Sequence, residues 1–265
     1  MKSSKNDELL TFGGHLEVFR RMLFRIIAVA GAIAMIIFCF KETTWEVLLA
    51  PSKWDFCTYR WIEGAMQAVG MDFRFEEFHV NMIATDLSSQ FMTHITTAIY
   101  LGLLGASPYI LFELFRFISP ALYENERKYS VQVAGIIYVL FLFGVLMSYF
   151  VLFPISFRFL GTYAVADSVV SNITLDSYIS TFVSLTLIMG VVFQLPVIAF
   201  FLGKMGIITS STLAHYRKHS FLVIMLVAAI ITPPDLMTLI LVTIPLYLLY
   251  EISIRVIKWV EPTNY

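Results

Sequence analysis

The chain has 265 residues, of which 58% are apolar and 14% charged, and its formal net charge is −1. A soluble domain is nearer half apolar and a quarter charged, so this surplus of apolar surface needs lipid and excludes an ordinary water-soluble fold. The near-neutral balance offers no basic excess for nucleic acid, and the length divides better into membrane spans of about 20 residues, each crossing about 30 Å of hydrocarbon, than into soluble domains.

Ile26 to Phe40 is uncharged and follows Arg20, Arg21 and Arg25, which predicts a first membrane helix over Met22 to Phe40 behind a tail of residues 1–21. The run lacks a convincing small-residue cleavage site, so it reads as a retained span. Residues 41–86 mix charges with Trp45, Trp54, Trp61, Pro51 and Gly70. They form an expected extramembrane loop with short amphipathic pieces, its tryptophans suited to the bilayer interface. The second span is expected from Phe91 to Ile118, kinked at Pro108, and is followed by a loop of residues 119–129. The third runs from Val131 to Phe153, and Pro154 marks its exit into a loop of residues 154–177.

The fourth span, Tyr178 to Met205, contains Gly190, Gln194 and Pro196, and a basic loop of residues 204–219 follows it. Two apolar stretches remain, Ser220 to Ile231 and Leu236 to Tyr250, separated by the breaker Thr232, Pro233, Pro234, Asp235. The expected fold class is all-α, a polytopic integral membrane protein with six transmembrane helices, the last two short. Twelve residues rise about 18 Å and fifteen about 22 Å, against about 30 Å of hydrocarbon. A re-entrant hairpin is the alternative and would leave four spans. Lys and Arg concentrate in the tail of residues 1–21, in loops 119–129 and 204–219, and in the tail of residues 255–265. That bias places both termini and those loops in the cytoplasm, with residues 41–86, 154–177 and 232–235 in the periplasm.

There is no H-E-x-x-H, no G-x-S-x-G and no Walker lysine, so a catalytic, metal or cofactor role has no support and the chain is expected not to be an enzyme. Cys39 and Cys57 have no metal spacing; they are either a disulfide facing an oxidising periplasm or a pair of unreactive thiols. His94, beside Thr93, Thr96 and Thr97, is expected to be satisfied by helix packing. Glu113 and Arg116, three apart, are expected to pair locally.

Four sets of residues carry a resemblance. Ser107, Pro108, Tyr109 through Phe117, Ile118, Ser119, Pro120, Ala121, Leu122, Tyr123 and then Glu126, Arg127 is one. Met82 to Asp86 is a second, Phe193, Gln194, Leu195, Pro196, Val197 a third, and Thr232 to Asp235 with Ile244, Pro245 and Tyr250, Glu251 the fourth. In this order they resemble the TatC family of the twin-arginine protein translocase. His15, Leu16 begin that family's amino-terminal H-L-x-E-L-R motif, but Val18 holds its glutamate position, with Glu17 one residue earlier, Phe19 for Leu, and Arg20 matching. Phe115 stands where many relatives have Trp, Leu239 replaces a polar residue after the Pro-Pro-Asp turn, and Gln194 sits where the family has Glu or Gln.

The resemblance implies a receptor core that binds signal peptides with consecutive arginines and nucleates export of folded proteins across the bacterial inner membrane. It also implies the proton-motive force as driver, TatA-type and TatB-type single-span subunits as partners, and a homo-oligomer within a larger complex. Guanidinium groups stay charged and present planar donor forks, so their receptor needs carboxylates. Glu126 is expected to bind one arginine and Glu124 or Glu17 the other; two apart in an extended loop, Glu124 and Glu126 would share a side. Arg20 and Phe117 complete this signal-peptide set, and Gln194, Pro51, Asp86, Pro196 and Asp235 are implied in partner or transport-related roles. A small-molecule transporter and a structural scaffold are the competing classes. The transporter reading lacks an internal repeat.

Overall fold

The computed structural model describes residues 12–118, 130–164, 166, 172–232 and 235–261. Helix α1 spans Phe12–Cys39, so it begins well before the apolar run does. Its first turns stay helical because lipid is not needed to hold them: Glu17 pairs with Arg21 one turn on, a spacing that supports a helix in water. The loop after it folds as α2 (Lys41–Leu49), a short 3₁₀ turn (Ala50–Ser52), α3 (Cys57–Ala68) and an extended stretch ending in β1 (Asn81–Ile83).

The second span is broken in two. Helix α4 (Ser89–Gly105) and helix α5 (Ser107–Ile118) meet at a 53° bend. Pro108 is the second residue of α5, where its missing N–H falls on a position that has no helical partner anyway. Gly102 allows α4 to lie against α1: a Cβ there would stand 2.6 Å from the Ala34 Cβ and 2.8 Å from the Ala30 carbonyl oxygen. Small residues at a crossing let membrane helices approach closely.

In the third span, α6 (Ser130–Met147) passes through one π turn (Ser148–Leu152) into α7 (Phe153–Thr162). The chain therefore does not leave the helix at Pro154, contrary to the expectation. A proline inside a helix is costly because the carbonyl four residues back loses its donor. Here that carbonyl, on Phe150, accepts the hydroxyl of Thr58 from α3. The Pro154 carbonyl likewise accepts from the Tyr59 hydroxyl at 2.9 Å.

Strand β2 (Asn172–Thr174) leads into α8 (Leu175–Val192), whose first turn is capped by the Thr174 side chain accepting from the Ser177 N–H at 3.2 Å. After a break at Phe193 and Gln194 the span continues as α9 (Leu195–Lys204). Helix α10 (Ser210–His215) precedes the final pair, α11 (Arg217–Ile231) and α12 (Leu236–Val260).

The four segments Leu16–Cys39, Val133–Thr162, Leu175–Lys204 and Leu236–Val260 are long and apolar enough to cross a membrane. The bent α4–α5 pair is the fifth span and the 15-residue α11 the short sixth. The protein is an all-α, six-span integral membrane protein, with one unforeseen element: β1 and β2 pair in parallel, Met82 opposite Ile173. Helix α12 has 25 residues, longer than its uncharged stretch, because Glu251, Arg255 and Lys258 carry it past the apolar part.

The main buried cluster sits where the loop of α2 and α3 meets α7 and α8: Leu48, Phe56, Tyr59 and Phe78 pack with Phe153, Phe157, Tyr178 and Phe182. Two hydroxyls from the spans reach the last carbonyls of α2, of which that of Val47 also accepts the Ala50 N–H at the cap. Tyr149 donates to the Val47 carbonyl at 2.8 Å and Tyr178 to that of Leu48 at 2.7 Å. Arg158 of α7 lies over the rings of Phe75 (4.4 Å), Phe78 (4.8 Å) and Tyr59 (5.4 Å) and donates to the Glu76 carbonyl at 3.0 Å. Cation–π contacts of this kind strengthen when desolvated. Burial pushes the Tyr59 phenol above its ordinary range, with Arg158 offsetting part of the rise.

Candidate functional site

The start of α1 is pinned to the end of α5. The Phe19 and Phe117 rings lie 5.8 Å apart at 55°, which sets Glu17 and Arg20, both exposed on α1, beside the point where α5 hands over to residues 119–129. Glu124 and Glu126 lie in that segment, outside the described residues. Successive helical residues are turned about 100° apart. Accordingly Val18, not Glu17, lines a crevice of about 220 Å³ with Arg21, Met22, Arg25, Glu113, Arg116 and Phe117.

Glu113 is 6% exposed, and a buried carboxylate needs partners. It accepts from the Tyr109 hydroxyl at 3.1 Å and faces Arg25 at 3.6 Å. The expected pairing with Arg116 does not form, because the carboxylate turns inward to α1 while Arg116 is exposed. Sequence reasoning missed Arg25. The available signal was that Glu113 is the one carboxylate across the whole of α4 and α5, so an arginine entering the first span had a single acid there to meet.

A second group lies in the middle of the fourth span. Gln194 stands at the start of α9, and its Nε2 donates to the Ile137 carbonyl of α6 at 3.1 Å. Its Oε1 is buried without a partner among the described residues. Pro196, buried, is the second residue of α9 and permits the break. Alongside runs an apolar groove of about 710 Å³, lined in part by Phe143, Phe193, Pro196, Leu248 and Ile252.

The other expected residues are scattered. Pro51 is buried in the 3₁₀ turn after α2. Asp86 is exposed before α4, and its carbonyl accepts from the Ser89 N–H at 3.1 Å. Asp235 caps α12, its Oδ1 accepting from the Thr238 N–H at 2.7 Å; Pro233 and Pro234 of the same turn lie outside the described residues. His94 is buried and stacks on Phe38, with centroids 4.4 Å apart and a 14° interplanar angle. Cys39 and Cys57 are both free thiols, so the disulfide alternative does not form. No group of metal-ligating side chains occurs among the described residues.

Charged groups gathered at the start of α1 and the end of α5, a buried amide within the fourth span and a folded loop clamped over the spans define a multi-pass helical membrane protein with a charged cluster at one end. The chain matches the sequence family described as Sec-independent protein translocase protein (TatC) over residues 14–245. It is 32% identical over 265 residues to the TatC protein of Blattabacterium sp. subsp. Periplaneta americana, covering 98% of this chain and 99% of that one. It is 37% identical over 183 residues to TatCy of Bacillus subtilis, covering 69% and 72%. A crystal structure of the twin arginine translocase receptor TatC aligns with a TM-score of 0.73 at 30% identity, covering 93% of this chain and 99% of that one. The chain belongs to the TatC family.

Proposed function

We propose that this protein is the receptor core of a twin-arginine translocase. It binds twin-arginine signal peptides on the cytoplasmic face of the bacterial inner membrane and nucleates export of folded proteins. The observation that supports this reading is the Phe19–Phe117 contact, which holds the start of α1, with Glu17, against the end of α5 just before residues 119–129 in the chain. Glu126 takes one signal arginine; Glu124 or Glu17 takes the other. Glu17 is available for this because its present partner, Arg21, is exposed and an exposed pair holds its members weakly. Arg20 and Phe117 frame the site.

In this reading both termini are cytoplasmic, the proton-motive force drives transport, and copies of the chain assemble with TatA-type and TatB-type single-span subunits. The unpartnered Gln194 Oε1 and the apolar groove next to it support a partner helix there. Pro51, Asp86, Pro196 and Asp235 serve partner or transport-related roles. Binding of a fluorescent twin-arginine peptide to the purified chain tests the site. Removing one member of a partly desolvated charged pair costs about 2 to 5 kcal/mol, about 30-fold or more in affinity, so Glu126→Gln should weaken binding by at least that factor. Glu124→Gln and Glu17→Gln separate the second contact from a spectator. Affinity within about twofold in all three, below the exposed-pair limit, would refute this carboxylate site.

A further inference from the structure

The crevice between α1 and α5 has the wrong sign for a cargo arginine. Its walls carry three guanidinium groups, Arg21, Arg25 and Arg116, against the single carboxylate of Glu113. Arg25 faces Glu113 at 3.6 Å and Arg21 is held by Glu17. Among the described residues no carboxylate lies within ion-pair distance of Arg116. Among those residues one positive charge is thus uncompensated, and exposed Arg20, adjoining Arg21 on α1, adds another.

The depth of the crevice matters as much as its charge. Arg25 is the last charge on α1 before its apolar run, and Arg116 is the last within α5, so the guanidinium groups stand at the edge of the hydrocarbon. Deeper along the same two helices Ile27 and Phe112 are exposed, Ile27 to 63%. A cationic mouth above an apolar wall matches a molecule with an anionic head and a hydrocarbon tail. Basic pockets between membrane helices recognise anionic lipid head groups on this basis, and arginine forks suit phosphate oxygens.

We propose that this crevice binds the phosphodiester of an anionic phospholipid. Arg116 and Arg21 donate to its oxygens, Arg25 divides its donors between the phosphate and Glu113, and the acyl chains lie along Ile27 and Phe112. The crevice adjoins the proposed signal-peptide site, sharing Phe117 and the Arg21 that pairs with Glu17, but its anion-binding groups are arginines and not the carboxylates of that site, so the lipid and peptide assays read different groups.

The test uses the full chain released from phosphatidylcholine bilayers containing phosphatidylglycerol, with retained lipid counted by native mass spectrometry across a phosphatidylglycerol titration. Each arginine near a membrane surface contributes a factor of about five. Arg116→Gln should weaken retention of the first phosphatidylglycerol by about fivefold, and Arg21→Gln with Arg116→Gln by about 25-fold. Phosphatidylcholine retention and thermal unfolding should stay unchanged, and Lys258→Gln, an exposed basic residue at the end of α12, should have no effect. Arg25 is left in place because its loss would strand buried Glu113. Unchanged phosphatidylglycerol retention in the double variant would overturn the proposal. So would displacement of the lipid by inorganic phosphate at equal concentration, which would make the crevice a free-anion site. Loss of twin-arginine peptide affinity in Glu113→Gln with lipid retention intact would overturn it too, by assigning the crevice to cargo.

Discussion

Thr58→Val isolates one of the two hydroxyls by which α3 bonds to the third span. Thr58 is 3% exposed, and its hydroxyl serves the Phe150 carbonyl, which Pro154 leaves without a helical donor. Valine keeps the shape and removes the donor, and a buried acceptor left unmet costs about 1 to 3 kcal/mol. Local opening of α3 should then rise about five- to hundredfold, since such regions open independently of the global fold. Cys57, the adjoining residue and a partly buried free thiol, reports this opening through its maleimide labelling rate, measured with Cys39→Ser so that it labels alone. Pro154→Ala supplies an N–H to the same carbonyl. In that background Thr58→Val should change labelling by no more than about twofold, the scale of a neutral substitution of about 0.5 kcal/mol. An equal increase with and without the proline would show that the Phe150 carbonyl is not what Thr58 serves.

Gly102→Ala drives a methyl into Ala34, at 2.6 Å, and should lower stability by about 1 to 3 kcal/mol in thermal unfolding. Gly135→Ala, where nothing lies within 4 Å, should not; equal effects would refute the close crossing of α1 and α4. Asp235→Ala removes the cap on α12 and should cost about 1 kcal/mol of helix stability, with Asp235→Asn restoring most of it. If asparagine fails to rescue, the carboxylate acts in something other than capping. Gln194→Leu removes a bond worth about 0.6 kcal/mol and should leave insertion normal while reducing complexes with single-span partners on native gels. Normal complex yield would leave the amide as helix packing alone.

The spans were legible because a membrane forbids unpaired charge, so Arg25 and the uncharged run behind it mark an entry whatever the tertiary structure. Helix ends were less so: apolarity reports lipid, not hydrogen bonding, and α1 and α12 both run on through charged residues. Pro154 misled for a related reason. Its cost depends on whether the Phe150 carbonyl finds another donor, and Thr58, 92 residues away, is not visible from local sequence. At the candidate site Glu126 lies outside the described residues, and the facing of Glu113 toward Arg25 needed the bend between α4 and α5. The β1–β2 pairing had no signal, three residues a side being too few to show an alternation.

The tyrosine hydroxyls that finish α2 impose an order on biogenesis. The Leu48 carbonyl waits for Tyr178, 130 residues downstream, while Tyr149, 102 downstream of Val47, adds a second donor to a carbonyl that already accepts the Ala50 N–H. At about 5 to 20 residues per second the first of these intervals lasts about 6 to 26 seconds. Throughout it, the Leu48 carbonyl lacks its hydroxyl donor and β1 its partner strand. The first two spans therefore enter the bilayer as a hairpin whose connecting loop cannot yet fold, and arrival of the third and fourth spans is the event that closes it.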